Sequence, residues 1–293
     1  MAVKYVGGLP GAGWDGDRAK KYTLQARRDG AMVTVLGDRF DFEIASNGEG
    51  RVMTTDGRPA GEIFRVERRS PTLGASPPRE AIVLFNGTGT DHFQGARMTK
   101  DGLLREGCKT REDYGYFRLH GEFLLPYKPL SRGQDRGNSG FYLESRYEVQ
   151  VLDSFGLEGA ANECGSIYSI KSPRINVCLP PLQWQTYDIE FRSAQFDNAG
   201  QKTAPMQISV WHNGVSIHSR ALIPNKTGAG DPEGPFPLPL KLQDHNNSVH
   251  YRNLWLIDLT QPGADQIPWL KLPPTNVRPD PIAVDPRPST SAE

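Results

Sequence analysis

"GNSGFYLESRYEVQVLDSFG", residues 137–156, is the stretch whose reading decides the fold. Phe141, Leu143, Tyr147, Val149 and Val151 recur at every second position in two short runs, the period of strands with one buried face. Between them stand Asn138, Tyr142, Glu144, Arg146, Glu148 and Gln150. A solvated strand face is commonly a loose mixture of Lys, Thr and Ser. Here Arg, a carboxylate and an amide follow one another at i, i+2 positions and share one side of a sheet. The runs meet near Glu144-Ser145, which predicts a hairpin whose polar faces lie within cross-strand reach. The spacing leaves two readings open, a wet surface or the floor of a site.

Working outward, strand signals recur near 82–85, 102–107, 115–125, 165–170, 184–192, 206–212, 214–220, 238–243 and 250–258. Few segments show a helical period. Asn213-Gly214, between alternating apolar runs in "WHNGVSI", is a strong hairpin signal. With 31 Gly and 24 Pro in 293 residues, the chain is rich in turns. These features predict an all-β protein, with a jelly-roll-like β-sandwich of two antiparallel sheets over residues 81–260. Residues 1–69 read as a small β-rich N-terminal segment, and 70–80, "SPTLGASPPRE", as a linker. Residues 261–293 read as a Pro-rich tail, draped in part over the domain.

Composition narrows the function. Lys+Arg and Asp+Glu are both 34, so no net field favours nucleic acid or an anionic membrane. No apolar run approaches the length of a transmembrane helix. "MAVKYVGGLPGAGWDG" lacks the apolar core of a signal peptide, which reads as cytoplasmic unless a leader has been trimmed. Of three cysteines, Cys164 and Cys178 lie fourteen apart and close one loop if paired; three buried free thiols is the other reading. No spacing suggests a structural zinc. P-loop, dinucleotide and nucleophile-elbow motifs are missing, and the "GLPGAG" run has no helix after it. Oligomeric state is left open.

The candidate site grows from the opening stretch. Arg146, Glu148 and Gln150 point to one side of the second strand, and Asn138, Gly140 and Tyr142 to the same side of the first. Planar polar groups on a curved sheet suit a sugar, which they hold through paired hydrogen bonds. "LQDHNNSVHYRNLWL", residues 242–256, sets Asp244-His245 at a strand end. A histidine there is a base, a metal ligand or a surface turn residue. Most of Trp184, Tyr187, Trp211, Tyr251 and Trp255 read as core; Trp184, at a strand start, is the rim candidate.

These motifs carry a resemblance. "VLFNGTGTDHF", "GYFRLHGEFLLP", "GNSGFYLESRYEVQVLDSFG", "NECGSIY", "WQTYDIEF", "VWHNGVSI" and "LQDHNNSVHYRNLWL" follow the order of the 3-keto-disaccharide hydrolase family, over roughly residues 81–259. The resemblance implies a concanavalin-like sandwich and a hydrolase or lyase acting on glycosides oxidised at C3. It also implies export or a periplasmic location, and in some members a divalent metal. A C3 ketone acidifies the C2 proton. A base removes it, the enolate expels the C1 substituent, and water adds. For this route His245 is the preferred base, with Glu148 as the other choice. Arg146, or a metal on Glu148, Asp153 or Asp244, would stabilise the oxyanion. Asn138, Tyr142, Gln150, Trp184 and Asp244 would bind substrate. Asp153 has the wrong parity to join Glu148 unless the strand ends or bulges near Leu152. Two alternatives stand beside this route. One is a conventional glycosidase using Glu144 and Glu148, about 13 Å apart along a continuous strand. The other is a non-catalytic carbohydrate-binding module.

Overall fold

The computed structural model describes residues 2–272. The chain forms two units, one reaching Arg68 and one starting at Arg69. The first is a six-stranded antiparallel sheet. Ala2–Tyr5 pairs with Lys21–Asp29, which is followed by Met32–Leu36, Phe40–Ile44, Glu49–Thr54 and Pro59–Phe64 in sequence order. The register lines Ala26, Val35, Phe42 and Val52 across four neighbouring strands, which gives this sheet one apolar face.

The second unit is the predicted β-sandwich. A five-stranded sheet runs in the order Phe93–Gln94, Cys108–Asp113, Pro239–Leu242, Ser139–Leu143, Tyr147–Val151. A seven-stranded sheet runs Leu104–Arg105, His250–Asp258, Tyr116–Leu124, Trp184–Arg192, Met206–His212, Val215–Ile223, with Ile82–Phe85 also paired to His250–Asp258. Insertion of Pro239–Leu242 between strands about a hundred residues earlier is the crossover that separates this topology from a simple meander. Strands 184–192, 206–212 and 250–258 have the bounds their periodicity predicts. The strand expected at 165–170 is instead a run of turns with isolated bridges at Ile167.

Between the sheets, Phe141 stands opposite Val149 and Leu143 opposite Tyr147, all buried. The Phe141 ring meets those of Phe123, Tyr187 and Tyr251 at centroid distances of 6.3, 5.6 and 5.4 Å. Such aromatic contacts add to the area term that drives the two sheets together. Ser139 Oγ and Tyr251 Oη, 2.6 Å apart, bridge the sheets at the end of this core. Asn213 and Gly214 adopt φ of 51° and 77°, the left-handed pair of the expected hairpin turn.

Residues 70–80, expected as a linker, form a strap on the outer face of the larger sheet. Their small, Pro-rich composition cannot build a core, yet their hydroxyls and amides answer buried polar groups. Thr72 donates to Asp188 Oδ2 at 2.7 Å, and the Gly74 amide to Glu122 Oε1 at 2.6 Å. The Ala75 carbonyl accepts from Asn253 and Trp255. Beneath the strap His120, fully buried, bonds Asp188 through Nδ1 at 2.6 Å and lies 3.6 Å from Glu122. Burial disfavours the imidazolium, but its bonds to Asp188 and Glu122 outweigh that and raise it to about 9. Burial likewise opposes the Glu122 carboxylate, but hydrogen bonds from His120, Asn253 and Arg252 and the Gly74 amide hold it down to about 2. Part of the tail covers the same face: Trp269 packs edge-on against Trp211 at 5.4 Å. The remainder, 273–293, lies outside the described residues.

Candidate active site

Strand pairing assembles the even-numbered residues into rows. Lys241, Tyr142 and Glu148 are in register across three strands of the five-stranded sheet. Gly140 and Gln150 form the next row, with the Gln243 amide donating to the Gly140 carbonyl at 3.0 Å. Tyr142 donates its hydroxyl to Glu148 Oε2 at 2.8 Å, and Gln243 Nε2 donates to that same hydroxyl oxygen at 3.3 Å. The Glu148 carboxylate lies over Gly140, where a Cβ would stand 2.6 Å from Oε1. Only glycine leaves room for the carboxylate to lie flat on the sheet. The Lys241 ammonium sits 5.2 Å from the centre of the Tyr142 ring and makes no ion pair among the described residues.

Burial sets the electrostatics. The Glu148 side chain is buried, which pushes its carboxyl up to about 7 against the opposing Tyr142 bond and Lys241 charge. Burial and the neighbouring carboxylate push the Tyr142 phenol well above its ordinary value, so it stays a donor. The floor is thus present but covered, because side chains from loops fold over it. Gln134, on the turn Gly133–Asp135, accepts from Gln150 Nε2 at 2.9 Å and from Asn138 Nδ2 at 3.2 Å. Residues 166–168 run beside the edge strand, the Tyr168 amide donating to the Glu148 carbonyl at 3.1 Å. At this floor the buried oxygens Asn138 Oδ1 and Gln243 Oε1 find no partner among the described residues. An unpaired buried acceptor is costly, and a ligand hydroxyl would relieve it.

The other candidates take different places. Arg146 turns its guanidinium to the 232–236 loop, donating to the Pro232 carbonyl at 2.8 Å, the Phe236 carbonyl at 3.0 Å and Glu144 Oε2 at 3.1 Å. Glu144 and Ser145 form the hairpin turn, both with φ of 51°, in the left-handed region that costs non-glycine residues roughly 1 kcal/mol or more each. There Glu144 accepts a short bond from Ser193, and burial raises its carboxyl to about 7 despite Ser193 and Arg146. Glu144 and Glu148 therefore serve different partners and do not flank one space. Asp244 is exposed and pairs with Arg97 at 3.4 Å. His245 is exposed in the following turn, within electrostatic reach of Asp135 beside Gln134. Asn247 Oδ1 accepts from the Gly137 amide at 3.0 Å, which fixes this turn at the Asn138 end of the floor. Trp184 lies on the larger sheet with Arg252 stacked 4.0 Å above its ring, away from Glu148.

A metal does not fit the donors present. Asp153 follows the end of the strand at Val151 and accepts from Arg136 Nε at 2.7 Å, while Glu148 is engaged by Tyr142. No group of three or more His, Cys, Asp or Glu side chains converges among the described residues. Sequence reasoning missed Lys241, Gln243, Gln134 and Tyr168. Lys241 and Gln243 alternate with the buried Leu240 and Leu242, so the same period-2 reading one strand further on would have found them. Gln134 and Tyr168 come from loops and carry no periodic signal.

Among solved structures, a candidate glycosyl hydrolase from Parabacteroides distasonis ATCC 8503 superposes with a TM-score of 0.58 at 28% identity, covering 63% of this chain and 86% of that one. A second from the same organism gives 0.45 at 19% identity, covering 61% and 94%. No curated protein matches the chain. The family model described as a 3-keto-alpha-glucoside-1,2-lyase-like domain matches residues 80–257, a span that holds both sheets and the Glu148 floor, and the chain belongs to that family.

Proposed function

We propose that the chain is a glycosidase-type enzyme that cleaves 3-keto-glycosides by elimination and hydration, with Glu148 as the base. The observation that carries the proposal is the Glu148 carboxyl: buried, oriented by its bond from Tyr142 and poised near neutrality, where a general base works best. Membership of the family supports the substrate class.

In this reading Glu148 takes the C2 proton, and the electron pair moves into a C2–C3 double bond, leaving charge on the C3 oxygen. Lys241, a cation on this face without an ion pair among the described residues, neutralises that charge, a role that the sequence reading gave to Arg146 or a bound metal. Collapse of the enolate breaks the C1–O bond. His245, at the lip, gives a proton to the departing oxygen and takes one from the water that adds to C1. Glu148 returns its proton to C2. Asn138 and Gln243 accept from sugar hydroxyls, and Gln150 is held for the same task by Gln134. Arg146 shapes the site indirectly by holding the 232–236 loop.

The test offers the enzyme a 3-keto-glycoside and its unoxidised parent in D2O. Release of the aglycone from the keto substrate alone, with deuterium at C2 of the sugar product, supports the proposal. Release from the unoxidised glycoside would point to a conventional glycosidase, and binding without release to a carbohydrate-binding module.

A further inference from the structure

We infer that the Gln134 side chain holds the place of a sugar oxygen and must leave for substrate to bind; the inference rests on the sugar site proposed above, not on the choice of base. Glu148 and Asn138 are each 3% exposed, and Tyr142 and Gln150 each 1%, so no sugar reaches this floor until a cover moves. Gln134 is bound to the floor as a ligand would be. Its Oε1 accepts from Gln150 Nε2 at 2.9 Å and from Asn138 Nδ2 at 3.2 Å, so two amide donors converge on one oxygen. Backbone groups orient all three amides. The Val151 amide donates to Gln150 Oε1 at 3.0 Å, Asn138 Nδ2 also donates to the Gln134 carbonyl at 2.9 Å, and Gln134 Nε2 donates to the Asn162 carbonyl at 2.8 Å. Reversing any one of them would set oxygen against oxygen. Once Gln134 Oε1 has left, the same two donors receive a sugar hydroxyl oxygen. Asn138 Oδ1, buried without a partner among the described residues, accepts from the next hydroxyl. An amide that gives to one hydroxyl and takes from its neighbour reads a vicinal diol.

The turn that carries Gln134 can move without disturbing a core. Residues 131–136, "SRGQDR", include no apolar side chain, and Arg132, Gly133 and Asp135 are exposed. Gly133, with φ of 53°, gives the start of the turn the widest choice of backbone angles. Arg136 is held by Asp153, through its Nε at 2.7 Å and through its carbonyl, which accepts from the Asp153 amide at 2.9 Å. The movement therefore lies between Ser131 and Arg136.

The experiment titrates methyl thioglucoside, whose sulfur linkage resists cleavage, into the wild type, Gln134→Ala and Gln134→Ala/Asn138→Ala by calorimetry. Gln134→Ala should bind about tenfold more tightly than the wild type, because the sugar no longer displaces two amide bonds. The double variant should lose that gain. In the wild type, saturating sugar should also speed hydrogen exchange at the Asp135 and Arg136 amides, which bond the Arg132 and Gly133 carbonyls at 3.3 and 3.2 Å. A side chain that merely braces its loop produces neither effect. Equal or weaker binding by Gln134→Ala would overturn the inference, as would a gain that survives Asn138→Ala or protection of the turn by the sugar. Binding by none of the three proteins would overturn it together with the sugar site. Turnover of a 3-keto-glycoside by Glu148→Gln would remove the base alone, since holding the thioglucoside needs no proton transfer.

Discussion

At the scale of single residues, the site rests on a carboxylate that the fold keeps near neutrality. Burial raises the Glu148 carboxyl to about 7, and the base must be ionised to act. Under subsaturating substrate, the acid limb of kcat/KM should therefore rise about tenfold per pH unit and end near pH 7. A rate limb near pH 4.5 would remove Glu148 from the role. Glu148→Gln keeps the shape and the Tyr142 bond but has no basic oxygen, so turnover should fall by about 10³-fold or more with substrate still bound. Lys241→Met tests the electrophile: it keeps length over the Tyr142 ring and deletes the charge. A loss of about 10²-fold in kcat with little change in KM is expected, since the charge it answers exists only after proton removal. A rise in KM alone would show that Lys241 merely binds substrate.

At the scale of elements, the hairpin at 139–151 was legible because its two faces differ so sharply. Alternation fixed which side of Phe141 and Val149 meets the core, and hence that Tyr142, Glu148 and Gln150 share the opposite face. The covers over that face were not legible. Gln134 and Arg146 act through loop geometry, and periodicity says nothing about where a guanidinium turns once its strand has ended. The strap at 70–80 was hidden for another reason: Ser, Thr and Gly read as spacer until their partners, Asp188 and Glu122 from distant strands, are known. That strap yields its own prediction. His120→Leu would strand two buried carboxylates and should destabilise the domain by roughly 3–5 kcal/mol. Chemical denaturation reads the loss directly, and a change below about 1 kcal/mol would show that the His120 network contributes little to holding the strap.

At the scale of the whole molecule, the same buried groups set stability against activity as pH changes. Glu144 and Glu148 titrate at about 7 in the fold against 4.5 in the unfolded chain. Between those values the folded state binds more protons than the unfolded one, so stability falls as pH rises through 4.5 to 7 and then levels off. His120, raised to about 9 from 6.5, stabilises the fold fully below 6.5 and loses that contribution as pH climbs through 9. Glu122, held to about 2, contributes above 4.5 and loses that as pH drops toward 2. These terms together place maximum stability near pH 5, on the acid side of the pH at which the base is ionised. The conflict can be isolated at one residue. Glu148→Gln cannot ionise, so it should equal or slightly trail the wild type at pH 4.5 yet exceed it by about 1–3 kcal/mol at pH 8, while losing turnover. Urea denaturation of both proteins at the two pH values measures the crossing. A variant less stable than wild type at pH 8 would mean that the ionised Glu148 carboxylate is well solvated or well paired, and a base poised near neutrality would then have no physical origin.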